Sequence, residues 1–287
     1  MNSALWGLMA ALSWGSADFI ARFTGRALGP LSALLAMLSV GAVVMTGALW
    51  WRGLAVVWTL PGALLLIAAG VGTMVATLLL YWGLARGPVT VVAPIVGGYP
   101  ALNVAFAVLL GVRPDAIEWA AMAAVLLGGL VVARSAGAFE ESGAYSREGL
   151  RKTLLIALAA AFGFAATVAA AQEAIPYFGE LETVALSRWV SVAACLVLFA
   201  VRRERPGVPA RWWPLLALQG LLDAAAYVTL LLGSVGEGKA IAVVVASGFG
   251  AVTVILARIF LREAMTVTQW LGIALIVGGV AVLAGQG

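Results

Sequence analysis

The sequence predicts an all-α membrane protein: ten transmembrane helices arranged as two inverted five-helix repeats. Three observations predict it. Of 287 residues, 63% are hydrophobic and only 10% charged, whereas a soluble chain carries about 25% charged residues. The apolar residues gather in ten long runs, and mean hydropathy is +1.07. The final stretch of the first half also reappears, without gaps, at the end of the second.

The ten runs cover roughly 3–21, 31–50, 60–82, 89–111, 117–134, 151–172, 182–201, 213–233, 240–261 and 267–285. Each is long enough to cross about 30 Å of hydrocarbon as a helix. They are continuous and do not alternate at period two, so they read as helices and not barrel strands. The opening MNSALWGLMAALSWG has no basic segment ahead of its apolar run and reads as a retained span, not a cleaved signal. The longest polar break, SAGAFEESGAYSREG at 135–149, falls at the midpoint. This divides the chain into a first repeat at 1–134, a connector at 135–149 and a second repeat at 150–287, all within one compact membrane domain.

Residues 90–132 align with 241–283 at an offset of 151: Glu118-Trp119 meets Gln269-Trp270, and Gly97 meets Gly248. At an offset of 150, Thr73 meets Asp223 and Thr77 meets Tyr227. Because five spans is an odd number, the second copy must cross the membrane in the opposite sense to the first. An inverted repeat of this kind permits two related states, one open to each side.

The charges orient the bundle. Arg22, Arg26, Arg86, Arg134, Arg147, Arg151, Lys152, Arg202, Arg203, Arg205, Arg211, Arg258 and Arg262 flank one set of connections, while the other set has Arg52, Arg113 and Lys239. The positive-inside rule therefore predicts both termini outside. The basic residues are dispersed between spans, so the pI of 9.6 signals orientation and not nucleic-acid binding. Cys195 is the lone cysteine and there is no histidine. These facts exclude an intrachain disulfide, a cysteine metal cluster, His-based triads and His proton relays. No metal or other cofactor is expected. The expected partners are a small-molecule substrate and the lipid bilayer.

The eighth run carries the sharpest signal. Gln219, Asp223 and Tyr227 lie four residues apart, on one face of a helix. A lone carboxylate at mid-span costs at least about 2.5–3.5 kcal/mol on insertion scales. No basic residue lies within a turn of Asp223, so it reads as a cavity group that meets a substrate amine or carries a proton. The competing reading is a structural hydrogen bond to another helix, such as to a threonine of the third run. That run has its own stripe: Thr73, Thr77 and Tyr81. In the first run, Ser13, Trp14, Ser16 and Asp18 form a polar wall, although Arg22 stands one turn from Asp18 and invites a salt bridge. In the fourth run, Pro94, Gly97, Gly98 and Pro100 predict a bent or broken helix, with Tyr99 and Asn103 as contacts. Ser247, Gly248 and Gly250 stand at the matching place in the ninth. These are candidate hinges, or glycines that only allow close packing. Arg188 sits two turns inside the seventh run. It fits a substrate carboxylate or a structural partner such as Glu182 or Asp223. Trp189 is a further in-span aromatic, able to stack on a ligand or to pack. Trp6, Trp50, Trp51, Trp119, Trp212, Trp213 and Trp270 read as interfacial belt residues. The small residues Ala124, Gly128, Gly129, Ala274, Gly278 and Gly279 fit either an intramolecular contact or a dimer seam. A monomer suffices, since both halves lie in one chain.

Two five-span halves, the ALSWGSADF segment of the first run, and LARIFLREAMTVTQWLGIALIVGGV near the end resemble the EamA family of the drug/metabolite transporter superfamily. Within it the YddG-like amino-acid exporters are the nearest likeness. The Leu-Arg-Glu before the last run matches a Gly-Glu-Arg-like turn of the family, whereas Gly111-Val112-Arg113 in the first half lacks the acid. The resemblance implies a multi-pass protein of the bacterial inner membrane that exports amino acids, including aromatic ones, or related metabolites by alternating access. It also implies a central cavity lined by spans 1, 3, 4, 6, 8 and 9, with spans 5 and 10 at the periphery. The sparse polarity of the candidate residues suits small amphiphiles better than phosphate esters. A multidrug exporter of hydrophobic cations is the closest rival. An intramembrane enzyme is not expected, because no cluster of catalytic groups is present.

Overall fold

A computed structural model describes residues 3–53, 56, 58–109, 113–135, 143, 145–233, 242, 245–246, 248–263 and 265–286. Among the described residues the regular structure is helical throughout. In chain order it comprises α1 (Ser3–Leu28), α2 (Pro30–Arg52), α3 (Leu60–Arg86), α4 (Val89–Gly97), α5 (Tyr99–Leu109), α6 (Ala116–Ser135), α7 (Arg147–Phe178), α8 (Glu180–Arg202), α9 (Trp213–Gly233), α10 (Phe249–Leu256) and α11 (Val267–Gln286). A 3₁₀ turn at Ala210–Trp212 leads into α9, and a π turn at Ala257–Leu261 extends α10. Seven of these are long and apolar enough to cross a membrane, and three shorter apolar stretches lie at Val89–Asn103, Phe249–Leu261 and Val267–Leu283.

Local chemistry sets the ends. Thr59 caps α3 by accepting from the Gly62 N–H at 3.3 Å, and Ser146 caps α7 by accepting from Gly149 at 3.1 Å. Pro30 opens α2, where an N–H has no intrahelical partner. The joints α1–α2 and α7–α8 both turn on a glycine at positive φ, Gly29 (+81°) and Gly179 (+93°), a conformation that side chains resist. Two helices run past their expected ends. α1 continues from 21 to Leu28 because Arg22, Thr24 and Gly25 are buried against neighbours. α7 starts at Arg147 on its serine cap and ends at Phe178.

The fourth span is broken as its prolines and glycines predict, and the break falls at Gly98. Neither Pro94 nor Pro100 can donate to the carbonyl one turn back. The ladder restarts there, with the Gly98 N–H on Pro94 and Ile95 and the Ala101 N–H on Gly98.

Backbone features recur 150 residues apart. Gly29 answers Gly179, and Gly53 (φ +72°) answers Arg203 (φ +55°). Gly98 (φ −78°, ψ 0°) answers Gly248 (φ −70°, ψ 0°), with the same two flanking hydrogen bonds. The equivalence at the break is thus Gly98 with Gly248, not Gly97 with Gly248 as sequence alignment had it. Packing follows the same rule. A side chain at Gly70 would collide with Val190 and the Ser187 carbonyl, and one at Gly220 with Val40 and the Met37 carbonyl. Beyond the π turn the spacing becomes 151: Gly128 abuts the Gly272 carbonyl, and Gly279 abuts that of Ala121. The π turn at Ala257–Leu261 lies between the two spacings, and a π turn inserts one residue into a helix.

α1 packs along α9, and α3 along α7. α2 touches both α8 and α9, α4 crosses α10, and α6 pairs with α11 at one side. The small residues of α6 and α11 therefore make an intramolecular contact through Gly128, Gly272 and Gly279, while a Cβ added at Gly129 or Gly278 would meet nothing within 4 Å. Trp50 and Trp51 are almost fully exposed at the end of α2.

Candidate functional site

The stripe on α9 lies where α1, α2, α3 and α8 converge. Asp223 is ten residues into α9, roughly 15 Å along its axis. Its carboxylate is not left to a threonine of α3. Arg188, eight residues into α8, brings Nη1 to 2.6 Å from Asp223 Oδ2. Both side chains are secluded, with 5% and 16% of their surface accessible. The pair is close but poorly aligned: Nη1, Nε and Oδ2 are buried without a well-directed hydrogen-bond partner among the described residues. The guanidinium also lies over the Tyr227 ring, 4.8 Å from its centroid, a favourable cation–π distance. Room for it comes from Gly41 of α2, where a Cβ would fall 2.5 Å from Nη1. Nothing in the sequence marks Gly41 as special, since its role depends on a side chain from another helix.

Tyr227 meets Trp14 of α1 edge-on, centroids 5.0 Å apart at 88°, and Trp14 meets Phe249 of α10 at 6.1 Å and 70°. The aromatic wall is thus joined to the ion pair through Tyr227. Asp18 is half-buried one turn further along α1, within electrostatic reach of Asp223 and Tyr81. Arg22 does not pair with it. That arginine is turned away and engaged elsewhere, so Asp18 forms no ion pair among the described residues.

Gln219 is fully buried and acts as a brace. Its Nε2 donates to the Tyr81 hydroxyl at 2.5 Å, and its Oε1 accepts from Thr24 Oγ1 at 3.0 Å. This ties α9 to α3 and α1 beneath the ion pair. Thr77 is buried one turn from Tyr81, while Thr73 donates back to the Ala69 carbonyl of its own helix. Ser13 and Ser16 are half-buried on α1. Tyr99 opens α5 with its ring 6.0 Å from Phe164, and Asn103 Oδ1 is buried without a partner among the described residues. The structure does not bring Trp189 to this cluster. Trp189 is 43% exposed on the outer face, with its indole donating to Thr46 at 2.9 Å. Pro94, Gly97, Gly98 and Pro100 lie at the α4–α5 break, and Gly250 of α10 approaches α4 so closely that a Cβ would stand 3.3 Å from the Ala93 carbonyl. Gly248 forms the corresponding turn, while Ser247 lies outside the described residues, as does Lys239.

A second polar knot closes one end of the bundle. Glu263, in the Leu-Arg-Glu turn after α10, accepts from the backbone N–H groups of Val89 and Thr90 at 3.1 and 3.0 Å and from the Thr90 hydroxyl at 2.9 Å. It thereby caps α4 from outside, where Pro88 has no side chain for the purpose. Arg22 of α1 donates to the last carbonyls of the preceding helix, Leu84 at 3.0 Å and Gly87 at 2.5 Å, and stands 3.8 Å from Glu263. Two helix ends are thus satisfied by two side chains from elsewhere in the chain. Among the described residues no three Cys, Asp or Glu side chains converge as a metal set.

The ion pair unites spans 7 and 8, so the polar centre draws on a span that the family likeness did not place at the cavity. The sequence matches the EamA-like transporter family twice, over residues 1–134 and 151–285. No curated protein matches it. A solved structure titled "Crystal structure of protein" shares the fold, with a TM-score of 0.66 and 21% identity, covering 98% of this chain and 95% of the other. The chain belongs to the EamA-like transporter family, a group of membrane transporters and not enzymes.

Proposed function

We propose that this protein is a ten-span, alternating-access exporter of amino acids, aromatic ones included, or closely related small metabolites. The observation that carries the reading is the Arg188–Asp223 pair in mid-bundle, beside the Trp14–Tyr227–Phe249 wall. Two opposite charges held in a low-dielectric interior are costly to maintain. A molecule bearing both charges and an apolar side chain matches that lining. Two inverted five-helix repeats supply the motion, supported by the 150-residue recurrence of turns and by the two half-chain family matches. The breaks at Gly98 and Gly248 are the hinges about which α4–α5 and α10 swing. The charge asymmetry puts the clasped end, with Arg22, Arg26 and Arg262, at the cytoplasmic face of the inner membrane and the termini outside. The likeness to the YddG-like exporters points the same way on substrate.

A second reading rests on a separate observation. Asp18 forms no ion pair among the described residues and stands one turn along α1 from Trp14, whose ring meets Tyr227, an environment that also suits a hydrophobic cation. Purified protein in liposomes, loaded with labelled amino acids and challenged with tetraphenylphosphonium, separates the two. Saturable amino-acid flux with counterflow is expected. Flux of the cation alone contradicts the amino-acid reading. Flux that never saturates contradicts a carrier. The same vesicles with and without a pH gradient show whether a carboxylate carries protons.

A further inference from the structure

We infer that Arg188 is the anchor for the carboxylate of the transported molecule, that Asp223 stands in for that carboxylate when the carrier is empty, and that Asp18 receives the ammonium group. The inference rests on the amino-acid reading above and assigns its recognition chemistry. The geometry that points to it is the incompleteness of the central pair. A guanidinium offers five N–H groups in a planar fork suited to two-point contact with a carboxylate. Arg188 uses this fork poorly. Asp223 reaches Nη1 at 2.6 Å but off the hydrogen-bond direction, and Nε is buried with no acceptor among the described residues. A buried structural arginine is normally satisfied, because each orphaned charged donor is costly. Arg22 in this same chain shows what satisfaction looks like, with two carbonyls and a carboxylate around it.

The second half of the assignment comes from Asp18. On α1, Trp14 meets Tyr227 and Thr24 meets Gln219 of α9, so Asp18 falls between those contacts at the level of Asp223, and Arg22, the cation one turn away, is committed to other partners. Asp18 forms no ion pair among the described residues, and an incoming ammonium supplies its partner. The incoming carboxylate takes the Arg188 edge that Asp223 holds imperfectly, so binding exchanges one carboxylate for another at Arg188 and leaves the net charge of the site unchanged. The Trp14–Tyr227–Phe249 wall takes the side chain.

The test uses wild-type protein in liposomes and tritiated phenylalanine. Competitors are unlabelled phenylalanine, its methyl ester, which masks the carboxylate, and hydrocinnamate, which lacks the ammonium. The free amino acid is expected to compete at least about tenfold better than either analogue. Arg188→Lys should reduce the preference for acid over ester to within about twofold, and Asp18→Asn should do the same for the preference over hydrocinnamate. In Asp223→Asn, equilibrium binding of phenylalanine to detergent-purified protein should be retained or tighter although flux is lost. A methyl ester that competes as well as the acid overturns the role of Arg188 while phenylalanine flux, and with it the proposed function, still stands. Binding about tenfold weaker in monodisperse Asp223→Asn overturns the stand-in role. Absence of any phenylalanine flux in wild type removes the underlying reading itself. Because the competitor series needs no mutant, it decides even where a variant does not fold.

Discussion

Arg188–Asp223 and Arg22–Glu263 are both secluded arginine–carboxylate pairs, yet they are built to opposite standards. At the end of the bundle, Glu263 accepts three hydrogen bonds and Arg22 makes two more to carbonyls. Their own separation is a loose 3.8 Å. Each side chain mainly serves a helix terminus, and the ion pair is incidental. In the middle, Arg188 and Asp223 approach to 2.6 Å but make no well-directed bond, and the arginine depends on an aromatic face for part of its company. The difference teaches that burial alone does not identify a site. A pair that saturates backbone groups holds the fold together, whereas a close pair left short of partners fits the exchange of partners proposed above.

The comparison can be broken by exchanging charges at each place. The largest effect is expected at the centre. Asp223→Asn should reduce flux per folded molecule by about a hundredfold or more, since an exchange partner is removed, and the unbalanced buried guanidinium should separately lower stability by about 3–5 kcal/mol. Flux per folded molecule in reconstituted vesicles is the measurement, and near-normal flux would count against any central role. Glu263→Ala should act on stability instead. Losing an external cap and its charge-assisted bonds should cost about 2 kcal/mol, read as a lower melting temperature with phenylalanine affinity within about twofold of wild type. A large change in affinity with unchanged melting would merge the two regions into one.

Smaller changes sharpen the contrast. Gly41→Ala places a methyl group against Arg188 Nη1 and should lower flux several-fold, by roughly 1 kcal/mol of displaced interaction, with little change in melting. Tyr81→Phe removes the acceptor for Gln219 and should destabilise by about 1–2 kcal/mol. Trp189→Phe faces outward and loses one bond to Thr46. Its effect should stay within about 0.5 kcal/mol on stability, with flux unaltered.

Much of this was legible in the sequence because periodicity and composition report local structure. The stripe of Gln219, Asp223 and Tyr227, the break near Gly98 and the seven helices long and apolar enough to cross a membrane follow from spacing and from what proline forbids. What stayed hidden depends on pairs distant in sequence. Gln219 looked like a cavity amide, and only the positions of Thr24 and Tyr81 make it a brace. Arg22 looked like the partner of Asp18 at i+4, yet the helix ends beside it offered better acceptors. Glu263 stood out as an acid without a counterpart in the first half, but nothing local says that it caps a helix 173 residues earlier. The π turn at Ala257–Leu261 left no local mark in the sequence beyond lying where the spacing between the halves changes from 150 to 151.

The most direct test of the central claim is initial phenylalanine flux into proteoliposomes by Asp223→Asn beside Glu263→Ala, each normalised to folded protein. The distinction between the two pairs predicts near-background flux in the first and near wild-type flux per folded molecule in the second. Equal flux from both variants, or loss confined to Glu263→Ala, would contradict it.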